Sequence, residues 1–330
     1  MFWTSDTGDG MEQKALAKLP ATTPQRQGMK IGIAFGAGAA KGWAHIGVIK
    51  RLVEAGIVPD VVTGTSIGAL AGGCYVAGKL DGLETFARSL TRRRVFSLMD
   101  FSWRGSGLIT GNKLGQMLAS ELGETRIEDL DRPFICIATE LMTGHEIWLQ
   151  EGHLANSIRA SYALPGVFKP VYLNDMWLLD GAVVNPIPVS ACRAMGARVV
   201  IAVNLNTDSF GIGTVIQAPA SNGTDNELSE LDTADTADQA RTAFLHQLFG
   251  DAKSPGITTV LVAAFNISQD RLARSRLAGD PPDILISPKT PNVGLFDFDK
   301  AADSIDSGWE AADRALPEIE LAMESLKMPV

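Results

Sequence analysis

The pentapeptide Gly64-Thr65-Ser66-Ile67-Gly68 constrains this chain more than any other feature, because it joins a short apolar run, Pro59 to Thr63, to a small-residue stretch, Ile67 to Ala77. The first run reads as a buried strand and the second as a helix, which puts Ser66 at a sharp strand-to-helix turn. The flanking Gly64 and Gly68 are expected to let the backbone bend there. The positive end of the following helix favours negative charge developing beside the serine.

The same rhythm repeats along the chain. Strands are expected at roughly 30–36, 60–64, 134–140 and 198–205, alternating with helices at about 42–55, 67–79, 111–122 and 187–196. Shorter strands are expected at Glu146 to Gln150 and Met176 to Asp180, and Gly56 and Gly123 follow their helices as C-caps. Alternation of this kind predicts an α/β fold, a parallel sheet between helical layers. At 330 residues the chain can bury its core as one large domain, 29–330, behind a flexible polar tail at 1–28.

Two further motifs give Ser66 a chemistry. Upstream, Lys30 to Phe35 reads as a strand, and Gly36-Ala37-Gly38-Ala39-Ala40-Lys41-Gly42 opens a helix near Trp43. Free amides at Gly36, Ala37, Gly38 and Ala39 would suit an oxyanion, since small side chains let the backbone approach a substrate carbonyl. A dinucleotide loop would need glycine at position 41, and a Walker A loop would need Ser or Thr after its lysine; Lys41-Gly42 satisfies neither. Alone, the loop also fits a phosphate cradle or tight packing, and the serine elbow one βα unit later favours the oxyanion reading. Downstream, Asp180-Gly181-Ala182 offers a carboxylate to activate Ser66, although Asp-Gly is also a turn dipeptide whose carboxylate caps the loop that follows.

Of the four histidines, only His246 follows Asp180, and it lies just past an acidic stretch that is a poor place for a positioned base. The expected machinery is therefore a Ser66/Asp180 dyad. A solvated aspartate is a weak base, so Asp180 must be desolvated and close to the Ser66 hydroxyl. His45 is expected to be a packed, hydrogen-bonded residue.

The glycine-rich loop, G-x-S-x-G and D-G-A in this order resemble the signatures of the patatin-like phospholipase family. Gly42 to Lys50, Leu164 to Pro170 and Asp180 to Pro188 look most like its RssA-type bacterial branch. The resemblance is dense over residues 29 to 206 and resumes at Gly279 to Ile286. It implies a three-layer αβα fold with a mainly parallel central sheet, a Ser66/Asp180 dyad supported by Lys41, Gly42, Gly64, Gly68 and Gly181, and hydrolysis of phospholipid, lysophospholipid or other acyl esters. Ala37 stands where many members carry glycine and Lys41 where many carry arginine. Two rival readings share these residues: an acyltransferase, and a regulatory adaptor on a retained hydrolase scaffold.

Composition narrows partners and location. The net charge of −9 argues against nucleic-acid binding and against wholesale attachment to anionic membranes, leaving a transient, local, peripheral contact. No metal or other cofactor is expected, because neither a calcium-loop nor a zinc-helix motif occurs. Cys74, Cys136 and Cys192 lie in apolar patterns without a C-x-x-C, and residues 1–28 lack an apolar core of signal-peptide length. The expected location is thus cytoplasmic, with peripheral contact at the inner membrane. An acidic run at about 207–240 reads as a disordered insert, followed by helices at Arg241 to Phe249 and Ile257 to Leu277. Ile257 to Phe265, Leu164 to Pro170 and Arg92 to Trp103 are candidates for the rim of a lipid site, with Arg92, Arg93 and Arg94 as a basic patch.

Overall fold

A computed structural model describes residues 30–98, 111–206 and 257–325 of the chain. The N-terminal tail, the acidic insert and the helix expected at Arg241 to Phe249 lie outside the described residues.

Four apolar runs form the centre of the sheet: β1 (Ile31–Phe35), β2 (Val61–Thr65), β3 (Phe134–Glu140) and β7 (Val199–Val203), every residue of which is buried. Strands buried on both faces carry mostly apolar or small side chains, and the polar residues among them, Thr63, Thr65, Thr139 and Glu140, each have a hydrogen-bond partner. Shorter strands complete an eight-stranded sheet: β4 (Glu146–Leu149), β5 (Val171–Leu173), β6 (Met176–Asp180) and β8 (Ile284–Ile286). The hydrogen-bonded order is β5-β6-β3-β2-β1-β7-β8, with β4 also paired to β3. Pairs β1–β2, β1–β7, β2–β3 and β7–β8 are parallel; β3–β4, β3–β6 and β5–β6 are antiparallel.

One consequence of this register places the site. Cys136 and Ile137 pair with both β2 and β4, so those strands flank β3 on opposite edges; Ala138 pairs with both β4 and β6. Strands β2 and β6 therefore share one edge of β3, end to end. The end of β2, where Ser66 leaves the sheet, faces the end of β6, where Asp180 stands.

Helices cover both faces. One carries the large side chains Ile31, Ile33 and Phe35 under α1 (Ala44–Glu54), α2 (Ile67–Val76), α3 (Leu80–Arg88), α5 (Asn112–Leu122) and α6 (Leu154–Ser161), with α4 (Arg92–Leu98) at its margin. The other face mixes small residues with Val61, Val200, Ile135 and Ile137. Ala34 and Ala202 pack with Cys192 of α7 (Val189–Ala194) and Ala273 of α8 (Ile257–Gly279). This is the expected αβα sandwich, with boundary corrections. The helix expected at 187–196 starts only at Val189, because each proline disfavours helix at the residue before it, and Pro186 and Pro188 do so in turn. Gly56 and Gly123 end their helices at φ 75° and 56°, as a C-cap requires. All three cysteines are free and buried.

A final helix, α9 (Ala301–Ser325), packs along α1. The backbones meet at glycines: a Cβ on Gly308 would overlap the Ala44 carbonyl oxygen, and one on Gly47 the Ile305 carbonyl oxygen. Backbone on both sides cannot yield as a side chain would. Gly308→Val is expected to destabilise the fold by about 3 kcal/mol in urea unfolding, the upper part of the usual range for overpacking.

Candidate active site

Thr65 ends β2 and Ile67 begins α2, leaving one residue for the turn. That residue is Ser66, at φ 59° and ψ −124°, a strained backbone for a side chain of this kind. The flanking glycines let the backbone bend without steric conflict, as expected, while the unusual dihedral itself falls on Ser66. Gly64 and Gly68 have ordinary φ values and supply clearance. A Cβ on Gly64 would come within 2.5 Å of the Gly68 carbonyl oxygen, and one on Gly68 would overlap the Phe35 carbonyl oxygen at the end of β1. The turn is held open by side chains. The Ser66 amide donates to Ser161 Oγ at 2.9 Å, Ser161 Oγ donates to the Ile137 carbonyl at 2.6 Å, and Thr65 Oγ1 donates to the Asn185 carbonyl at 2.8 Å.

Across the end of β2 stands Asp180, buried to 1% exposure. Its carboxylate divides its work. Oδ1 accepts the Ala182 amide at 2.8 Å, capping the short 3-10 turn Gly181–Val183, while Oδ2 accepts the Ser66 hydroxyl at 2.6 Å. The loop cap and the serine contact, alternatives for the sequence, are both made, one by each oxygen. Thr139 Oγ1 fixes the Asp180 carbonyl at 2.9 Å, and a Cβ on Gly181 would overlap the Ile137 carbonyl oxygen. Burial pushes the Asp180 carboxyl up to about 7, against the opposing hydrogen bonds from Ser66 and Ala182.

The glycine-rich loop leaves β1 beside the elbow, and a Cβ on Gly42 would overlap the Ile67 side chain. Four amides were expected to be free here, and two are not: Gly36 N donates to the Val203 carbonyl at 3.0 Å, and Ala37 N to the Pro186 carbonyl at 2.9 Å. The loop must close onto β7 and the Pro186 turn, and these bonds do it. The Gly38 and Ala39 amides have no acceptor among the described residues, and Ala39 takes φ 46°, which turns the chain into the 3-10 segment Ala39–Trp43. Ala37 keeps a negative φ, so its methyl group is tolerated. Lys41 lies half-buried within that segment.

His45 is fully buried on α1, with Nε2 2.8 Å from the Gly36 carbonyl oxygen and its ring edge-on to Phe35. Burial lowers its pKa to about 4, so it stays neutral. Its packed role was expected. His145 is exposed beside Thr143, His153 lies near Glu124, and His246 is outside the described residues; no described histidine hydrogen-bonds Ser66 or Asp180.

Several supporting residues escaped the sequence reading. Ser161, Thr65 and Thr139 are ordinary hydroxyls whose partners lie far away in sequence, so no local pattern marks them. Asn185, 1% exposed, donates to Glu146 Oε1 at 2.8 Å, and Arg276 of α8 pairs with Glu146 Oε2 at 3.1 Å. This chain of contacts runs from α8 to the loop behind Asp180.

The proposed rim segments partly converge. Val262 of α8 packs on Leu164 and Val167, while Val260 and Leu261 stay exposed. Val95, Leu98 and Phe168 line one apolar cavity. In the basic patch, Arg92 stays exposed while pairing with Asp299 at 3.4 Å, Arg93 is exposed, and Arg94 donates to Ser89 Oγ at 2.7 Å with its guanidinium over Phe86. Residues from Met99 to Trp103 lie outside the described residues. Among the described residues, no helix is long and apolar enough to cross a membrane.

Comparison with known proteins returns the same segment. A family model for patatin-like phospholipases matches residues 33–193, which hold the loop, the elbow and Asp180. An uncharacterised NTE family protein of Mycobacterium tuberculosis is 30% identical over 340 residues, covering 88% of this chain and 92% of that protein. Lysophospholipase NTE1 of Mycosarcoma maydis is 36% identical over 188 residues, 54% of this chain but only 10% of that protein. Lysophospholipase NTE1 of Candida glabrata is 33% identical over 185 residues, again 54% of this chain and 11% of that protein.

Proposed function

This chain belongs to the patatin-like phospholipase family, and from that premise we propose that it is a serine esterase that hydrolyses lipid acyl esters through an acyl-Ser66 intermediate. The observation that carries the proposal is the 2.6 Å hydrogen bond from the Ser66 hydroxyl to a buried carboxylate. A carboxylate held near neutrality by burial is a far better base than one in water.

In the proposed reaction, Ser66 Oγ bonds to the acyl carbon as Asp180 Oδ2 takes the hydroxyl proton. The charge arriving on the carbonyl oxygen is received by the Gly38 and Ala39 amides, with the N-terminus of α2 adding its dipole. Collapse breaks the ester bond and Asp180 returns the proton to the departing alcohol. Water then attacks the acyl-Ser66 ester by the same two transfers, releasing the acid. Neutral His45 takes no proton; it holds the Gly36 carbonyl and hence the start of the loop.

The substrate class proposed is phospholipid or lysophospholipid, met by transient peripheral contact with a bilayer in the cytoplasm. The three buried free thiols support a reducing compartment. A fluorophosphonate probe tests the nucleophile directly: peptide mass spectrometry is expected to find the adduct on Ser66, formed faster at pH 8 than at pH 5. An unmodified Ser66 in folded protein would sink the proposal.

A further inference from the structure

We infer that an apolar cavity beside the elbow receives the substrate's acyl tail, and that Leu114 belongs to the wall that limits how much of the tail it encloses. The inference rests on the esterase reading above. Both elements that carry the proposed chemistry contribute to the lining: Ile67 follows Ser66, and Trp43 closes the turn after the glycine loop. Leu70, one helical turn beyond Ile67, continues the same face of α2 into the cavity. Every lining residue is apolar, a surface that gives a charged or hydroxyl-rich headgroup no partner and suits a hydrocarbon chain. The tail is thereby directed inward and the headgroup toward solvent.

The cavity measures about 100 Å³. An apolar cavity of ~150 Å³ takes up benzene, six carbons, so one of this size holds roughly four carbons of a tail. Behind it lies a second void of about 10 Å³, and the two share Leu70, Phe86 and Leu114. These three side chains therefore stand between the voids. Leu70 and Phe86 are buried, whereas Leu114 on α5 is only half-buried and can be changed with less damage to the core. Met117 and Tyr162 line the second void, so a tail passing Leu114 would continue among apolar surfaces.

The test is a chain-length profile of kcat/KM with p-nitrophenyl esters from acetyl to dodecanoyl, for wild type, Leu114→Ala and Leu114→Phe, each checked by thermal melting. In wild type, each added methylene is expected to raise kcat/KM up to about fourfold, the ~0.8 kcal/mol of one buried methylene, and the rise is expected to stop between butanoyl and hexanoyl. Leu114→Ala opens the wall and is expected to raise the octanoyl-to-butanoyl ratio about tenfold. Leu114→Phe fills the cavity and is expected to lower the same ratio by a similar factor. Opposite shifts from one position exclude a general loss of stability as their cause. If all three proteins turn over esters through Ser66 with one profile, the tail pocket is wrong. If wild type shows no Ser66-dependent turnover, the esterase reading itself has failed. Should Leu114→Ala not fold, the Leu114→Phe shift decides alone.

Discussion

Ser66→Ala is expected to lower ester turnover at least ~1000-fold, the scale on which residues acting as one catalytic unit fail when any member is removed. The protein should stay folded, because the substitution removes one half-exposed hydroxyl and leaves the Ser161 tether on the backbone amide intact. Ser66→Gly separates chemistry from strain more sharply. It should be equally inactive yet melt at a higher temperature than Ser66→Ala, because glycine accepts φ 59° without the ~1–3 kcal/mol that such backbone costs other residues. Comparable turnover in wild type and Ser66→Ala would sink the serine mechanism. Equal melting of the two variants would show that the elbow carries no strain.

Asp180→Asn keeps the shape of the carboxylate and removes its basicity, and the rate is expected to fall at least ~1000-fold, with little further loss in the Ser66→Ala double variant. In wild type, turnover should rise with pH and level off above about 7, where the buried carboxyl is ionised. Stability should move the other way. The unfolded chain releases this proton near ~4, so the buried acid contributes stability that is complete below that pH and lost as pH rises through about 7. The total is roughly 4 kcal/mol. Asparagine has no charged form, so the variant should gain on wild type between pH 5 and pH 8 in chemical denaturation. A pH-independent difference would show that Asp180 does not titrate in this range, and any rise of turnover with pH would have to come from another group.

The central strands were legible because burial on both faces leaves an unbroken apolar signature, as in Phe134 to Ala138 and Val199 to Val203. Ser66 and Asp180 were legible because each needs an unusual neighbour: glycines where backbones nearly touch, and a turn where a strand must end. Helix α9 was not. Its contact surface is built mostly of Ala, Ser and Gly and it carries an internal Pro317, so most of the residues that touch α1 are not the large apolar ones that mark a core helix. Helix α6 was hidden for a similar reason, since Ser157 and Ser161 are buried polar residues on its inner face. The glycine-rich loop was legible as a loop, but which of its amides remain free depends on the carbonyls of Val203 and Pro186, more than 140 residues away.

The attachment of that loop to the far end of the chain also sets a timetable. Ala40 N donates to the Leu295 carbonyl at 3.0 Å, Trp43 Nε1 donates to the Phe298 carbonyl at 3.2 Å, and α9 then closes over α1. On the ribosome, the serine elbow and the aspartate emerge long before the residues that hold the glycine loop, and contacts of such sequence separation form late. The nascent chain is therefore expected to remain inert until residues 295–325 have emerged and docked. A lipid-cleaving activity would then switch on only once α9 has closed over α1, well after the elbow and the aspartate have been made.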